Sequence, residues 1–424
     1  MSATLFVQMA AYRDPELVPT LVSLLDNATA PERLHICVAW QHGDEASIDQ
    51  FDSLRTRCRL TLLDIPYAES RGACWARHKI QQHYAGEAYT LQLDSHHRFA
   101  EGWDTTCMEM LEGLRSRGVA KPLLTAYLPS YDPSQDPAAR APDPWRLTFD
   151  RFIPEGAIFF RPEAMAGWPS MDEPEPARFY SAHFAFTIGE FAREVQHNPE
   201  FYFHGEEITI TVRAFTHGYD LFHPHRHVAW HEYTRRGRAK HWDDHREWGR
   251  LNEATHDRCR RLLGMDAYRD RPDEVAAEQT GPYGLGQARS LEDYERFAGI
   301  SFRRRAITQA VQDHRPPRHE DNAQLSREAF DASCVPVFRH CLDVGYDLVP
   351  HDDYDRWVVA FKSADDRELF RQDAEEAEIA RMKADPDGYC KVWREFVTDE
   401  RPARWLVWPH SRVHGWGHPI VRSL

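Results

Sequence analysis

The chain of 424 residues lacks any long apolar run, and its cysteines never occur as a Cys-x-x-Cys pair. A membrane-spanning helix needs about 20 predominantly apolar residues, so the sequence predicts no membrane span. No basic stretch precedes the short apolar segment at the N-terminus, so we expect no signal peptide. The eight scattered cysteines are typical of free, mostly buried thiols rather than of a disulfide framework or a zinc ribbon. These features together predict a cytoplasmic protein.

Positive charge is also in deficit, with 52 Lys and Arg against 67 Asp and Glu and a formal net charge of -15. This balance argues against a general nucleic-acid or anionic-membrane binder, although it leaves a local basic pocket open. The apolar share of 42% and the charged share of 28% are ordinary for a globular protein. We therefore expect no nucleic-acid partner.

Strand-like and helix-like segments alternate through the first part of the chain. The apolar, strand-type runs are residues 4–10, 34–40, 58–65, 88–94 and 122–128. Alternation of this kind predicts a parallel, doubly wound α/β sheet, in which ligands bind beyond the carboxyl ends of the strands. Asp14 is placed to cap the helix after the first strand, with Pro15 at its first position.

The pattern changes further along the chain. Residues 129–179 are rich in Pro and Asp, which is typical of a long functional loop, and residues 206–219 have helical spacing. Residues 231–262 are polar and rich in Arg and His. We predict a catalytic domain over 1–300, a linker over 301–314 and a small α+β accessory module over 315–424. Core packing is the expected use of most of the module's tryptophans, which are Trp357, Trp393, Trp405, Trp408 and Trp416.

The stretch LQLDSHHRF, residues 91–99, ends an apolar strand in an acid and two histidines. Side chains alternate along an extended segment, so Asp94 and His96 project from one side while Ser95 points away. A carboxylate oxygen and an imidazole nitrogen in this arrangement can hold one divalent cation. The donor set suits Mn²⁺, with Zn²⁺ and Fe²⁺ also open. The alternative is that Asp94 caps the following turn and the histidines are solvated.

The Asp-Ser-His segment resembles the Asp-x-His form of the Asp-x-Asp motif in nucleotide-sugar glycosyltransferases of the GT-A fold. Residues 71–104 look like the donor-binding core of the Skp1-type polypeptide N-acetylglucosaminyltransferases, which are similar in layout to the mucin-type polypeptide GalNAc-transferases. Further blocks match in the same order. They are AAYRDPEL (10–17), FHGEEITITVRAFTHGYDLFHP (203–224), WHEYTR (230–235), YGLG (283–286) and RSLEDYERFAG (289–299).

This resemblance implies a GT-A type fold, a Rossmann-like mixed sheet flanked by helices. It also implies metal-dependent, retaining transfer of GlcNAc from UDP-GlcNAc to a hydroxyl acceptor, with Mn²⁺ or Mg²⁺ as cofactor. In eukaryotic members the acceptor is a hydroxyproline on a cytoplasmic protein. Here a Ser or Thr hydroxyl, a glycan or a small molecule is also open.

The resemblance implies a third metal ligand, a histidine far downstream of the Asp-x-His pair. Our candidate is His231, which follows a predicted strand as the family's ligand does, and His227 is the fallback. The histidines of HPHRH (223–227) could instead form a separate metal tract or a polar strand edge. His97 doubles the histidine of the motif, and side-chain alternation favours His96 over it.

By resemblance, the donor pocket takes residues from several strand ends and one helix. Ala10, Tyr12 and Arg13 at the end of the first strand, with Asp64 at the end of the third, would contact the uridine.

The diphosphate would face Arg71 and Arg77 in the helix before the motif, beside Asp94 and Ser95. Arginine suits this role because its planar fork holds phosphate oxygens in a fixed geometry. Arg235 and Arg236 would cover the diphosphate on a closing loop.

The segment HGEEITITVRAF places two acids at a helix start, where the helix dipole favours negative charge. In the relatives the corresponding acids lie beside the transferred sugar, so Glu206, with Glu207 as the alternate, is the implied catalytic-side residue. Retention could use a carboxylate nucleophile or front-face attack. Trp168 and His183 fall where the family's acceptor-side loops lie, although packing is the commoner use of such residues.

Two other functions remain alternatives to the transferase. One is a non-haem iron or zinc enzyme that uses HPHRH with His231; it leaves RGACWAR and AAYRDP unexplained. The other is a non-catalytic protein that binds UDP-sugars. The agreement of several ordered blocks favours the glycosyltransferase.

Overall fold

The computed structural model describes residues 4–44, 46–153, 155–234, 237–384, 388–398 and 400–424. The chain forms two compact units that alternate along the sequence. The first contains Met1–Asp150, Glu155–Gly299 and Ala310–Gln324, and the second contains Arg151–Pro154, Ile300–Gln309 and Leu325–Leu424. The segment 301–314 is thus divided between the two units. The domain limits drawn from the sequence stay a prediction.

Strands and helices alternate through the first 300 residues. The strands are β1 Leu5–Tyr12, β2 Leu34–His42, β3 Arg59–Pro66, β4 Tyr89–Leu93, β5 His97–Phe99, β6 Pro122–Thr125, β7 Trp145–Phe152, β8 Ile158–Ala164, β9 Glu175–Pro176, β10 Phe184–Ile188, β11 Asp220–His223 and β12 Ala229–His231. The helices are α1 Leu17–Asp26, α2 Asp52–Arg55, α3 Ala73–Gln81, α4 Trp103–Ser116, α5 Phe191–Glu194, α6 Glu206–Thr216, α7 His241–Asp244, α8 Trp248–Leu262, α9 Pro272–Thr280 and α10 Leu291–Ala298.

The first unit is built on an eight-stranded sheet with the strand order β3-β2-β1-β4-β10-β6-β11-β9. Strands β3, β2, β1 and β4 run parallel to one another, as do β6 and β11. Strand β10 runs antiparallel between β4 and β6, so the sheet is mixed rather than wholly parallel. The predicted mixed α/β fold with flanking helices is therefore confirmed, and the simple parallel reading of the alternation is wrong.

The central strands are apolar runs because both of their faces are covered. Strands β1 and β2 are almost entirely buried, and helices α1 and α4 contribute to the same core cluster. A parallel strand buried on both faces has this continuous apolar pattern. The carboxyl ends of the parallel strands lie side by side. Tyr12 and His42 end β1 and β2, and Asp94 directly follows β4.

Residues 129–179 are less irregular than their composition predicts. Strands β7 and β8 pair in a two-stranded sheet within this stretch, and β9 joins the edge of the large sheet. The Pro and Asp residues therefore mark turns between short strands rather than one long loop.

Helix α1 begins at Leu17, and its N-cap residue Glu16 makes no side-chain capping hydrogen bond. Asp14 accepts a hydrogen bond from the Glu16 backbone N–H (2.9 Å), but its second oxygen meets Ser95 and His96. The prediction that Asp14 simply caps this helix is wrong, because tertiary contacts use its carboxylate.

Two other helix starts agree with the local sequence pattern. Ser290 and Asp293 form a capping box at the start of α10, each side chain accepting from the other residue's backbone N–H. Helix α6 begins at Glu206, after Gly205, and nearly all its residues are buried.

The second unit is an α+β arrangement. It contains β13 Ile300–Ser301, β14 Ala306–Ile307, α12 Arg327–Ser333, β15 Val335–Gly345, β16 Tyr354–Lys362, β17 Glu368–Arg371, β18 Ala374–Glu375, α13 Glu376–Lys383, β19 Tyr389–Val397, β20 Arg404–Ser411, β21 Gly415–Trp416 and β22 Ile420–Ser423. The short helix α11, Gln309–Gln312, precedes α12 in the chain, and only its first residue belongs to the second unit. The strands form one sheet in the order β13-β14-β15-β19 and a second along β17-β16-β20-β21.

The tryptophans of this unit divide between its core and its surface. Trp357 and Trp405 are buried, whereas Trp393, Trp408 and Trp416 are 41%, 37% and 41% exposed. The expectation that most of them pack in the core is wrong, because alternate residues of β19 and β20 face outward.

The cysteines are free thiols, as the sequence predicts. All eight cysteines are free, and most are buried. Within the described part of the chain, no helix has both the length and the apolar character needed to cross a bilayer.

Candidate functional site

The Asp-Ser-His segment lies where strand β4 ends, between β4 and the short strand β5. Strand β12 pairs antiparallel with β5 and sets His231 opposite His97. The backbone N–H of Glu232 donates to the carbonyl of His96 (3.1 Å), which holds the two segments together. This small ribbon brings the distant His231 to the motif.

Asp94, His96 and His231 converge on one point. The Asp94 Oδ2 atom lies 3.8 Å from His96 Nε2 and 3.6 Å from His231 Nε2. One ligand atom from each residue lies within 4.8 Å of the other two. A small inward movement of the three side chains would let these atoms bind one metal ion. The side chains of Asp94, His96 and His231 are 28%, 14% and 8% exposed, so the site opens towards solvent on the Asp94 side.

The protonation of these groups suits cation binding. Burial opposes ionisation of Asp94, but the neighbouring imidazole of His231 and the charge of Arg77 together hold the pKa of Asp94 well below its usual range. Burial lowers the pKa of His231 well below its usual range, so its imidazole is neutral. A metal ion binds the ionised carboxylate and the neutral imidazole.

The hydrogen bonds of the imidazoles also fit a metal site. His96 uses Nδ1 to contact Asp14 Oδ2 (2.7 Å), which leaves its Nε2 facing Asp94. Both ring nitrogens of His231 are buried and lack a hydrogen-bond partner by the usual distance criterion among the described residues. A buried polar atom without a partner costs free energy unless a ligand satisfies it.

The competing histidines contact backbone carbonyls rather than Asp94 Oδ2. His97 is fully buried, and its Nδ1 contacts the backbone carbonyl of Asp94 (3.1 Å). His227 contacts the carbonyl of Pro142 (2.7 Å), away from the motif. His223 contacts the carbonyl of Thr125 (2.8 Å), so the histidines of HPHRH bind different partners.

A cavity of about 310 Å³ opens beside the three converging residues. Its walls come from the strand ends, from the start of α3 and from the segment around α7. The lining residues are Ala10, Tyr12, Asp14, Gln41, Gly72, Ala73, Arg77, Asp94, Ser95, His96, Tyr202, Phe203, His231, Tyr233, Arg238, Ala239, Lys240, His241 and Trp242. Such a volume is within the range of small-molecule sites.

Several of the predicted donor-binding residues are brought together here. Ala10, Tyr12, Arg77 and Ser95 line the cavity with the converging residues. Ala73 and Arg77 face it together because residues four positions apart share one side of a helix.

Three other predicted donor residues do not line this cavity in the described structure. Arg13 forms an ion pair with Asp244 (3.0 Å). Asp64 contacts His42 (2.7 Å) with 60% of its side chain exposed, and Arg71 is exposed. Arg235 and Arg236 lie outside the described residues.

Arg77 joins the motif to the GEE segment. Its Nη2 donates to Asp94 Oδ1 (2.9 Å), while its Nη1 donates to Glu206 Oε1. Cys74 donates through its thiol to the other oxygen of Glu206. Glu206 is therefore buried in contact with Arg77 and Cys74, and it does not line the cavity.

Glu207 has a different set of partners from Glu206. It accepts hydrogen bonds from the Tyr127 hydroxyl (2.8 Å) and the Ala182 backbone N–H (2.9 Å). Burial raises the pKa of Glu207 to about 7. The ring of His183 stacks on that of Tyr127 with centroids 5.0 Å apart, so this predicted acceptor-side residue lies in the same cluster.

His183 and Trp168 are both engaged with protein groups. The His183 ring stacks on His231 with centroids 4.1 Å apart, and its Nε2 accepts from the Leu128 N–H. Trp168 donates to Asp143 (2.8 Å).

Sequence reasoning missed several cavity residues. The local sequence pattern predicts only a helix cap at Asp14. Arg238, Lys240 and His241 lie in the stretch recognised only as polar and rich in Arg and His, and nothing in its pattern distinguishes the inward-facing side chains.

Solved structures of two glycosyltransferases are similar to this chain. A structure of GalNAc-T7 with UDP, GalNAc and Mn²⁺ shares 14% sequence identity at a TM-score of 0.45, covering 69% of this chain and 54% of GalNAc-T7. The chain thus spans about half the length of that protein. A structure of S. aureus TarS shares 9% identity at a TM-score of 0.39, covering 99% of this chain and 77% of TarS.

A further structure, of TarS residues 1–349 in complex with UDP-GlcNAc, shares 12% identity at a TM-score of 0.35 and covers 60% of this chain and 70% of that one. Among curated proteins, no sequence matches this chain. The profile of the family described as Glycosyltransferase (GlcNAc) matches residues 4–55 and 43–304. The match covers well over half of the chain, which therefore belongs to the Glycosyltransferase (GlcNAc) family.

Proposed function

We propose that this protein is a metal-dependent, retaining glycosyltransferase that moves GlcNAc from UDP-GlcNAc to a hydroxyl group of a polypeptide. The observation that carries the proposal is the convergence of Asp94, His96 and His231 within 4.8 Å at the wall of a cavity. Membership of the Glycosyltransferase (GlcNAc) family supports the class of reaction.

The proposed metal ligands are the Asp94 carboxylate and the Nε2 atoms of His96 and His231. One oxygen and two imidazole nitrogens suit Mn²⁺ better than Mg²⁺, which prefers oxygen ligands and water. When bound, the ion would act as a Lewis acid that stabilises the departing diphosphate. The remaining roles belong to the side chains of the cavity.

Positive side chains surround the rest of the proposed diphosphate site. Arg77, Arg238 and Lys240 line the cavity beside the converging residues. They would neutralise phosphate oxygens, with the arginines offering a planar fork of donors. Arg77 is already held by Asp94 and Glu206, so its position is fixed before the donor binds.

The uridine would lie at the ends of the first strands. Ala10 and Tyr12 from β1 and Gln41 from β2 line this part of the cavity. This agrees with the rule that ligands of open α/β sheets bind beyond the carboxyl ends of parallel strands. Contacts of the donor with Arg13, Asp64 and Arg71 remain predictions.

The carboxylates nearest the cavity favour front-face attack over a carboxylate nucleophile. Among the described lining residues, the carboxylates are those of Asp14 and Asp94, and both contact the histidines of the site. Glu206 is engaged by Arg77 and Cys74. In front-face attack the acceptor oxygen bonds to the anomeric carbon as the bond to the diphosphate breaks, and the diphosphate oxygen takes the acceptor's proton.

Glu206 acts in this account as a positioning residue for Arg77, and the direct role of Glu206 or Glu207 beside the sugar stays a prediction. For the acceptor we propose a hydroxyproline, Ser or Thr of a cytoplasmic polypeptide, in the manner of the Skp1-type enzymes. A glycan hydroxyl is the second choice.

UDP release tests the proposed reaction. The full chain would be incubated with UDP-GlcNAc, UDP-GalNAc or UDP-glucose, with and without Mn²⁺, and with peptides that carry hydroxyproline, Ser or Thr. We expect the highest release with UDP-GlcNAc and Mn²⁺, a gain of one GlcNAc mass on a peptide, and an α-linkage by NMR. His96→Ala should lose this activity, while His227→Ala should keep it.

Each alternative function has a distinct result. Binding of UDP-GlcNAc without transfer to any acceptor and without hydrolysis would favour the non-catalytic binder. Absence of all UDP-sugar binding would overturn the glycosyltransferase and favour another metalloenzyme.

A further inference from the structure

Asp14 contacts His96, one of the proposed metal ligands, but is not itself a proposed ligand. The carboxylate lies between β1 and α1, and only 5% of the side chain is exposed. Its Oδ2 accepts from the Ser95 hydroxyl (2.6 Å) and contacts His96 Nδ1 (2.7 Å). Arg238 Nη1 approaches the same oxygen at 3.3 Å.

The other oxygen of Asp14 is also used. Its Oδ1 accepts the backbone N–H of Glu16 (2.9 Å), which fixes the plane of the carboxylate. An ionised carboxylate can only accept hydrogen bonds, so the contact with His96 requires a proton on His96 Nδ1. In the neutral imidazole the lone pair then lies on Nε2, the nitrogen that faces Asp94 and His231.

We infer that Asp14 is a positioning residue of the metal site, which fixes both the tautomer and the ring orientation of His96. The inference rests on the proposed metal ligands and extends them to the group behind one ligand. Partners of this kind behind a metal-binding histidine typically change metal affinity about 10- to 100-fold when they are removed.

The Asp14→Asn variant removes this function with almost no change in volume. If the amide oxygen faces Glu16, the NH₂ group faces His96 and requires the Nε2-protonated tautomer, which cannot bind metal through Nε2. If the amide oxygen faces His96, the NH₂ group opposes the Glu16 N–H. Either orientation disturbs the site.

Asp104 supplies a matched control. It is a buried carboxylate of the same unit that accepts the backbone N–H groups of Thr29 (2.8 Å) and Ala30 (3.1 Å). Asp104→Asn should therefore lower stability without changing the metal site.

The experiment titrates Mn²⁺ alone into the full-length chain and measures binding by calorimetry, for the wild type and for both variants. We expect binding at least 10-fold weaker in Asp14→Asn and unchanged in Asp104→Asn. Excess Mn²⁺ should restore much of the UDP release of Asp14→Asn, because the defect lies in metal affinity.

If Asp14→Asn bound Mn²⁺ with wild-type affinity, or if both variants lost affinity equally, the inference would be overturned while the proposed metal site would stand. A wild type that binds no Mn²⁺ would overturn the proposed metal site and the inference with it. If Asp14→Asn does not fold, ¹⁵N-histidine NMR of the wild type decides, with His96 assigned by its loss in His96→Ala. A proton on Nδ1 supports the inference, and a proton on Nε2 overturns it.

Discussion

Arg77 shows at the residue scale how one buried cation joins two parts of the site. Its side chain is 5% exposed, and it pairs with Asp94 and with Glu206, itself 7% exposed. Burial opposes the charge of Arg77, but these two carboxylates outweigh it and raise the pKa of the guanidinium. Removal of one partner from a buried ion pair leaves an uncompensated charge.

We predict that Arg77→Ala lowers the free energy of unfolding by about 3–5 kcal/mol, because Glu206 is left buried and charged. Urea unfolding followed by circular dichroism measures this change. Arg71→Ala is the control, since Arg71 is exposed on the segment before the same helix and should change stability by less than about 0.5 kcal/mol. Equal effects of the two substitutions would contradict the account of Arg77.

Glu207 gives a prediction for the pH dependence of stability. Burial raises its pKa from 4.5 to about 7, so between these values the folded protein holds a proton that the unfolded chain releases. The contribution of Glu207 to the free energy of unfolding should therefore fall as pH rises through this range. Since each pKa unit corresponds to about 1.4 kcal/mol, the contribution is about 3 kcal/mol.

Glu207→Gln should remove this part of the pH dependence. The measurement is urea unfolding at several pH values from 5 to 8, in the wild type, Glu207→Gln and the exposed control Glu101→Gln. We expect the free energy of unfolding of the wild type to fall relative to that of Glu207→Gln as pH rises, and to keep a constant difference from that of Glu101→Gln. The same pH dependence in all three proteins would show that Glu207 titrates near its ordinary pKa.

At the scale of elements, α6 depends on its first glycine. Gly205 has φ +93°, a conformation that side chains with a Cβ rarely adopt, and an added Cβ would lie 3.4 Å from the Cβ of Cys259. This glycine lets the chain turn directly into a helix that starts with two acids, of which Glu206 is buried.

Gly205→Ala should lower the free energy of unfolding by about 1–2 kcal/mol because of the positive φ. Gly113 lies inside α4 with no atom within 4 Å of an added Cβ, so Gly113→Ala should instead raise stability by about 0.5–1 kcal/mol. Thermal unfolding compares the two variants. A change of the same sign in both would contradict the assigned conformation of Gly205.

Some elements can be predicted from local sequence pattern, and others cannot. The strands with apolar runs, the helix at 206–216 and the capping box of α10 follow from local pattern. The pairing of β5 with β12 does not, because each strand has only three residues and the partners are far apart in sequence. The identity of His231 therefore came from family resemblance, and the paired strands supply its geometry.

The same limit explains the residues that were missed around the cavity. Asp14 has the local signature of a helix cap, and only tertiary structure shows its contact with His96. Lys240 and His241 belong to a stretch without periodicity, so their inward placement depends on contacts with distant strands.

At the scale of the whole molecule, the first unit includes residues beyond 300. His314 contacts Glu163 (2.7 Å), His319 contacts Asp220 (3.2 Å), and Asn322 donates to the carbonyl of Arg296 (2.8 Å). A cut at residue 300 removes all three contacts, whereas a cut at residue 324 keeps them.

We therefore predict that a truncated chain ending at residue 324 is more stable than one ending at residue 300. Both should be compared by thermal unfolding and by the fraction of monomer in size-exclusion chromatography. Equal midpoints would show that 310–324 adds nothing to the first unit and would favour the domain limit drawn from the sequence.

The central claim is that Asp94, His96 and His231 hold a metal ion that receives the diphosphate of a UDP-sugar. The most direct measurement is calorimetry of UDP-GlcNAc binding, with and without Mn²⁺, to the wild type, His231→Ala and His227→Ala. We predict Mn²⁺-dependent binding to the wild type and to His227→Ala, and its loss in His231→Ala. Binding that is independent of Mn²⁺, or that survives in His231→Ala but not in His227→Ala, would contradict the account.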